Sequence, residues 1–498
     1  MKAILLAVSL LGDDLDEAKR VLFDAVENAN DAKGAAAVET IASHDTREAL
    51  DALVKAYALC IAKSDELEKR KEKLVKTMED AGKDPKTGQW RDYTRFIKAR
   101  DELTDVNGKL GRIEWIRLAV LRAFPRFRSD GAVKDLCGKL RPGGDWSLRA
   151  IVAAALGRID HAETVPALRS ALRGEREAGV RVAILDALGM KRAKDRETVA
   201  AVCDQLKDEF WQVKCAAAGA LKAIGSLDAV DALIEALKGA DGRVQSDVNA
   251  ALAGITGVDK HGSFEVWAAW WKANREAVLS GAYQPEPGEK ARAPGGTTFY
   301  GIPVVSKKFA FVIDRSGSMA AKAKWKPDDS TPTGPGAPEP VKMTGDRKID
   351  VARYEVKKAL AALPDGIEFT VVVYNREVEA VSDKLLPLTK ESRRRVFEWI
   401  DGIEPTGATN ISDALERALA FATIAEKLAR SGIDTIYLLS DGYPTAGIVD
   451  GQHLRARIAE VNRVRKVAIH TVAIEPGPDS EQLMRAIAKE HNGTYAKR

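Results

Sequence analysis

Apolar residues recur with two different periods along this chain, and the change falls near residue 300. Before it, the period is helical. Compare WIRLAVLRAF (115–124), SLRAIVAAALGRI (147–159), GVRVAILDALGMK (179–191), QVKCAAAGALKAI (212–224) and RVQSDVNAALAGI (243–255). The matching positions Ile116, Leu148, Val180, Val213 and Val244 are 32, 32, 33 and 31 residues apart. A second element recurs out of phase: AVKDLCGKL (132–140), TVPALRSAL (164–172), TVAAVCDQL (198–206) and AVDALIEAL (229–237). Its apolar positions, such as Val165, Leu168 and Leu172, keep helical spacing. Each unit is therefore two short amphipathic helices. One such pair cannot bury its apolar faces without stacked neighbours.

This array, residues 115–258, resembles HEAT-type repeats. A less regular pair at 36–60 reads as an earlier repeat within a helical segment 13–60. Residues 61–114 interrupt the array: Leu67, Leu74, Val75 and Met78 form one stripe, and Phe96, Ala99, Leu103, Val106, Leu110 and Ile113 follow a/d spacing. With DAGKDPKTGQ (80–89) as a turn, they predict an antiparallel coiled-coil hairpin inserted in the solenoid. Phe264, Trp267, Trp270 and Trp271 share one helical face at 259–278, which predicts a packing cap on the array. Residues 279–299, with Pro285, Pro287, Gly288, Pro294, Gly295 and Gly296, read as a linker.

From residue 300 to 498 the pattern is that of alternating strands and helices. KKFAFVID (307–314), EFTVVVYN (368–375), DTIYLLSD (434–441) and KVAIHTVAI (466–474) are apolar, β-branched runs. Helical patterns lie at 347–362, 390–400, 411–430, 451–463 and 480–490, VEAVS (378–382) reads as an antiparallel edge strand, and GTYA (493–496) as the last strand. The chain is thus multidomain: an all-α, HEAT-like solenoid followed by a doubly wound, Rossmann-like α/β domain with a mostly parallel sheet.

Polar residues gather where such a sheet binds ligands, outside the carboxyl ends of its strands. Asp314 ends the first strand, and RSGSM after it supplies Ser316 and Ser318. Asp441 follows the strand 436–440, and Thr409 lies in TGATN just before a helix. Two carboxylates brought together there repel unless a cation stands between them. Hydroxyls add neutral hard oxygens, which suits Mg²⁺, with Mn²⁺ or Ca²⁺ as alternatives, and nothing in the set is a thiolate or imidazole. These residues resemble the metal-ion-dependent adhesion site of von Willebrand factor type A domains, whose pattern is D-x-S-x-S, a distant Thr and a distant Asp. The resemblance implies that Ser316, Ser318 and Thr409 contact the metal and that Asp314 and Asp441 act directly or through water. It also implies one open position, filled by an acidic residue of a partner protein. Gly317, Gly407 and Gly442 would keep the loops tight. One departure from the compact family form is a Pro/Gly/Ser-rich insert at 321–346, read as flexible, whose Asp328, Asp329 or Glu339 could fill the open position in cis.

Charge and composition narrow the function. With 77 basic and 73 acidic residues the net charge is only +4, and no basic stripe interleaved with aromatics is present, so a nucleic-acid partner is not expected. Cys60, Cys137, Cys203 and Cys215 sit in apolar helical patterns and predict core packing, although Cys203 and Cys215 could meet across adjacent helices. His44, His161, His261, His453, His470 and His491 all lie outside the metal loops, and no phosphate-binding loop occurs. The expectation is a metal-dependent protein-binding scaffold and not an enzyme. The alternatives are a partner subunit of an AAA+ ATPase and a Mg²⁺-dependent hydrolase. Residues 1–12, with Lys2 before the apolar run 3–11, read either as a signal peptide or as the first helix of the array. The first reading predicts export to the periplasm or beyond, the second a cytoplasmic protein. No other segment is apolar enough to span a membrane.

Overall fold

The computed structural model describes residues 15–82, 89–143, 146–260, 262–284, 297–324, 341–421 and 432–498. The segment 1–12 and most of the insert therefore lie outside the described residues. The chain divides into two compact units, residues 1–191 with 452–457, and residues 192–451 with 458–498. The expected linker, 279–299, falls inside the second.

The first unit opens with α1 (Leu15–Glu27), α2 (Asp31–Ala42), α3 (Arg47–Ala81) and α4 (Tyr93–Ala123). Side chains cap the last three: Asn30 accepts from Lys33 N, Thr46 from Ala49 N and Asp92 from Arg95 N. Helices α3 and α4 are longer than expected. Divisions placed at 60/61 and 114/115 both fall inside a helix, because nothing there breaks one. Between 47 and 81 there is no Gly or Pro, and α4 runs on through Gly108 and Gly111 to the 3₁₀ turn at Phe124–Arg126. The expected stripe is buried at Leu67, Leu74, Ala99, Val106, Leu110 and Ile113, while Val75 is exposed.

Repeat pairs follow as α5 (Asp130–Gly138) with α6 (Trp146–Leu156), and α7 (Thr164–Gly174) with α8 (Ala178–Lys191). Ile116 and Val180 are fully buried, as the repeat register predicts, and Leu148 is half-buried. The residue after each of these three is a buried arginine, which the periodicity did not signal. Arg149 makes a two-pronged bond to Glu175 at 2.9 and 3.0 Å, and Arg117 pairs with Glu114 and donates to Tyr57 Oη.

The second unit begins with α9 (Arg196–Asp204), α10 (Trp211–Ile224), α11 (Val230–Ala236), α12 (Gly242–Thr256) and α13 (Phe264–Leu279). Trp267 is fully buried and donates to Asn249 Oδ1 at 2.6 Å, and Trp271 donates to Asp231 Oδ1 at 2.8 Å. The aromatic face of α13 thus closes on α11 and α12, within the repeats. All four cysteines are free. Burial pushes the Cys60 thiol up to about 12, and Cys137 and Cys203 to about 11, so they stay protonated and unreactive.

The sheet domain comprises β1 (Thr298–Phe299), β2 (Ile302–Pro303), β3 (Lys308–Asp314), α14 (Lys348–Ala362), β4 (Glu368–Tyr374), β5 (Val378–Ala380), β6 (Leu386–Pro387), α15 (Lys390–Asp401), α16 (Ile411–Leu419), β7 (Thr435–Ser440), α17 (Gly451–Asn462), β8 (Ala468–Ala473), α18 (Pro478–Glu490) and β9 (Tyr495–Lys497). Strand order is β5-β4-β3-β7-β8-β9, parallel except for β5 and the short β6, which pair antiparallel with β4. Phe309, Phe311 and Ile313 alternate onto the face covered by Ile349, Val356 and Leu360 of α14 and Val396 and Ile400 of α15.

Three expectations change here. The last residues of the expected linker are not linker: Phe299 is fully buried, its ring 4.6 Å from that of Phe311, because an aromatic next to the sheet gains more from the core than from solvent. The insert is not loose over all of 321–346. Ala323 is buried, its N–H donates to Asp346 O at 2.8 Å, and Lys322 and Arg347 form an antiparallel bridge. The helix expected at 411–430 is described only to Leu419, and 422–431 lie outside the described residues.

Gly493 marks the tightest turn before β9. A Cβ there would stand 1.9 Å from Ile469 O, a backbone atom of the neighbouring strand. Gly493→Ala is therefore expected to cost more than about 2 kcal/mol in denaturant unfolding. A loss below 0.5 kcal/mol, roughly the scatter of surface substitutions, would contradict this packing.

Candidate metal centre

The chain order explains where the site lies. From β3 it moves to β4 on one side, then crosses to β7 on the other. The strand order therefore reverses between β3 and β7, and the crevice at their carboxyl ends is the switch point of the sheet. Asp314 ends β3 and Asp441 follows β7, in register at Ile313↔Leu439.

All five expected residues come to this crevice. Asp314 is fully buried; its Oδ1 accepts from Ser316 N at 2.7 Å and its Oδ2 from Ser440 Oγ at 2.7 Å. The hydroxyls of Ser316 and Ser318 are 3.0 Å apart, and Ser318 Oγ donates to Asp441 Oδ1 at 2.7 Å. Thr409 is buried and clamped by its backbone: its N–H donates to Thr445 Oγ1 at 2.9 Å, and its carbonyl accepts from Thr445 N and Ala446 N. Its hydroxyl has no hydrogen-bond partner among the described residues and lies 3.7 Å from where a Cβ on Gly442 would stand. The Thr409 oxygen therefore faces the loop that carries Asp441.

The loops are fixed from below. Asn375, just after β4, donates to Thr406 O at 2.9 Å, and its carbonyl accepts from Asn410 N at 2.9 Å. Asn410 caps α16 and accepts from Ser412 Oγ at 2.9 Å. Gly407 has φ +78°, a left-handed conformation that glycine adopts without strain, and its carbonyl accepts from Gly317 N at 3.0 Å. Gly317 and Gly407 thus join the two loops, whereas Gly442 leaves space beside Thr409.

Charge in the crevice is unbalanced. Burial pushes the Asp314 carboxyl up to about 6; hydrogen bonds from Ser316 and Ser440 work against this and the Asp441 charge adds to it. No ion pair to Asp314 occurs among the described residues. Asp441 is paired instead: Lys348 Nζ donates to its Oδ2 at 2.9 Å. Sequence reading missed both Lys348 and Ser440. Ser440 carried a faint signal, a lone serine at the end of the apolar run IYLLS. Lys348 carried none, since it reaches the crevice only because α14 returns beneath β3.

Two carboxylates and three hydroxyls are hard oxygen donors, and a buried carboxylate without a counter-charge is the feature a small divalent cation would relieve. No group of three or more His, Cys, Asp or Glu placed to hold a metal occurs among the described residues, in this crevice or outside it, so any ion here would rest on two carboxylates and on hydroxyls. Asp328, Asp329 and Glu339 of the insert lie outside the described residues.

Residues 166–253 match the sequence profile of HEAT repeats, and residues 346–497 match that of the von Willebrand factor type A domain. The chain carries both modules, and its α/β sheet is that of the second. The type A match begins after Asp314, Ser316 and Ser318, which belong to the central strand of the same sheet and its loop. Among curated proteins, the chain is similar to inter-alpha-trypsin inhibitor heavy chain H4 of Homo sapiens, 27% identical over 189 residues, covering 37% of this chain and 17% of that one. It is 34% identical over 146 residues to heavy chain H2 of Mus musculus, covering 29% and 13%. The chain thus spans less than a fifth of the length of these curated relatives. Among solved structures, a von Willebrand factor type A protein from Catenulispora acidiphila aligns at 21% identity with a TM-score of 0.28, covering 39% of each chain. No helix among the described residues is long and apolar enough to cross a membrane.

Proposed function

We propose that this chain is a protein-binding scaffold whose C-terminal domain holds a divalent cation, Mg²⁺ in the first place, on Asp314, Ser316, Ser318, Thr409 and Asp441. The observation that carries the reading is the convergence of these five side chains on the switch point, around one buried carboxylate that has no counter-charge among the described residues. A bound cation would supply a positive centre able to take an acidic side chain of a partner protein. The chain's own residues do the rest. Ser440 and the Ser316 N–H aim Asp314, Thr445 holds Thr409 in place, and Asn375 and Asn410 fix the loop between them. No described histidine hydrogen-bonds to any of the five, so no imidazole stands ready as a general base, and the chain is read as a binder and not a catalyst.

Thr409→Ala tests the assignment with little structural interference, because the hydroxyl it removes has no hydrogen-bond partner among the described residues. Loss of an outer-shell group already weakens metal sites roughly 10–100-fold. Removing a ligand is expected to do at least as much to Mg²⁺ affinity by calorimetry, with the metal-free Tm unchanged. Wild-type affinity in this variant would refute the ligand set. Capture of partner proteins in Mg²⁺ and their release by chelator is the functional counterpart.

A further inference from the structure

Lys348 is the first residue of α14 and is 9% exposed. Its ammonium lies 2.9 Å from Asp441 Oδ2 and 3.9 Å from Glu475 Oε2. Both oxygens of Asp441 are therefore engaged within the protein, Oδ1 by Ser318 and Oδ2 by Lys348. A monovalent cation with a fixed stem already sits on one of the two carboxylates that the metal reading assigns as ligands. Two cations sharing one carboxylate repel strongly where water is scarce. A second acceptor is at hand. Glu475 follows β8 with φ +47°, held by its N–H donating to Arg498 O at 2.7 Å, and its Oε1 accepts from the backbone N–H of Lys324.

We propose that Lys348 is the resident counter-cation of the site: its ammonium neutralises Asp441 in the metal-free protein, and a divalent ion displaces it towards Glu475. This inference rests on the metal-binding reading above. The displacement has three consequences. Metal binding is weaker than the five oxygens alone would give. The metal-free protein is spared a second uncompensated carboxylate. Occupancy of the site is also transmitted to Glu475, and so to Lys324 at the root of the segment 325–340.

The test is a double-mutant cycle on the full chain, reading Mg²⁺ affinity by calorimetry and Tm without metal. Lys348→Met keeps the apolar stem and removes the charge. It is expected to bind Mg²⁺ roughly tenfold tighter or more, and to melt at lower temperature without metal. Glu475→Gln removes the second acceptor. It is expected to weaken Mg²⁺ binding when Lys348 is present and to change nothing when Met replaces it. Equal or weaker binding by Lys348→Met, with wild type still binding, overturns the counter-cation and leaves the metal site standing. If Lys348→Met fails to fold, Glu475→Gln decides alone, and unchanged affinity there overturns the proposal. Absence of Mg²⁺ binding in every variant overturns both readings.

Discussion

Asp314→Asn is expected to make the metal-free protein more stable while abolishing divalent binding. The side chain is fully buried, and burial holds its carboxyl at about 6 against an ordinary value of 3.8. The sign follows from proton linkage. A carboxyl with a raised folded-state pKa binds its proton more tightly in the native protein than in the unfolded chain. The stability it contributes is present in full below pH 3.8 and is lost as pH rises through about 6. At neutral pH the ionised group thus costs roughly 3 kcal/mol, from about 1.4 kcal/mol for each pH unit between the two values. Asparagine keeps the shape and can still accept from Ser316 N, while its amide donates to Ser440 Oγ, which accepts as readily as it donates. Denaturant unfolding with chelator present should show a gain of about 2–3 kcal/mol at pH 7.5, shrinking towards zero near pH 4. Calorimetry should show no Mg²⁺ heat. A destabilised variant would mean that Asp314 serves the fold and not a ligand.

The second large effect is expected at Arg243, near the start of α12 in the last repeat. Its guanidinium is buried; Nε donates to Asp247 Oδ1 at 2.8 Å, and Nη1 reaches Asp434 O at 3.4 Å. Asp434 precedes β7, accepts from Ser306 Oγ and Thr435 Oγ1, and is pushed up by burial. Lys307 and Asp241 pair beside this cluster. Arg243→Ala leaves Asp247 and Asp434 in a dry junction with no cation. Breaking a buried pair by removing one partner typically costs about 3–5 kcal/mol. The loss should appear as one cooperative transition of the second unit, residues 192–451 with 458–498, because the cluster ties the repeat to the base of the sheet inside that unit. A loss under about 1 kcal/mol, the scale of exposed ion pairs, would show the cluster to be decorative.

The contrast between these two sites shows what a sequence can reveal. Asp314, Ser316 and Ser318 are close in the chain, and Asp441 ends an apolar strand. Apolar, β-branched runs predict where strands end, and strand ends predict where ligands bind, so these residues are legible. Thr409 was legible through its place before a helix. Lys348 and the reach of Arg243 to Asp434 were not, because each contact joins residues more than 90 positions apart. Local periodicity holds no trace of such pairings. The repeat register locates Ile116, Val180 and Val213 in the core, but says nothing of the buried arginines beside Ile116 and Val180. Lengths failed for a different reason. The divisions at 60 and 114 mark where the apolar pattern changes, but a helix ends only where backbone or capping chemistry ends it.

The neck at 321–347 has a use of its own. The bridge between Lys322 and Arg347 and the bond from Ala323 to Asp346 hold the two ends of the segment together. With the ends already closed, doubling the length between them costs only about 0.6 kcal/mol in chain entropy. The neck is thus a port: a reporter, an epitope or a longer binding peptide grafted between residues 324 and 341 would leave through it, a few residues from Ser318, without loosening the crevice.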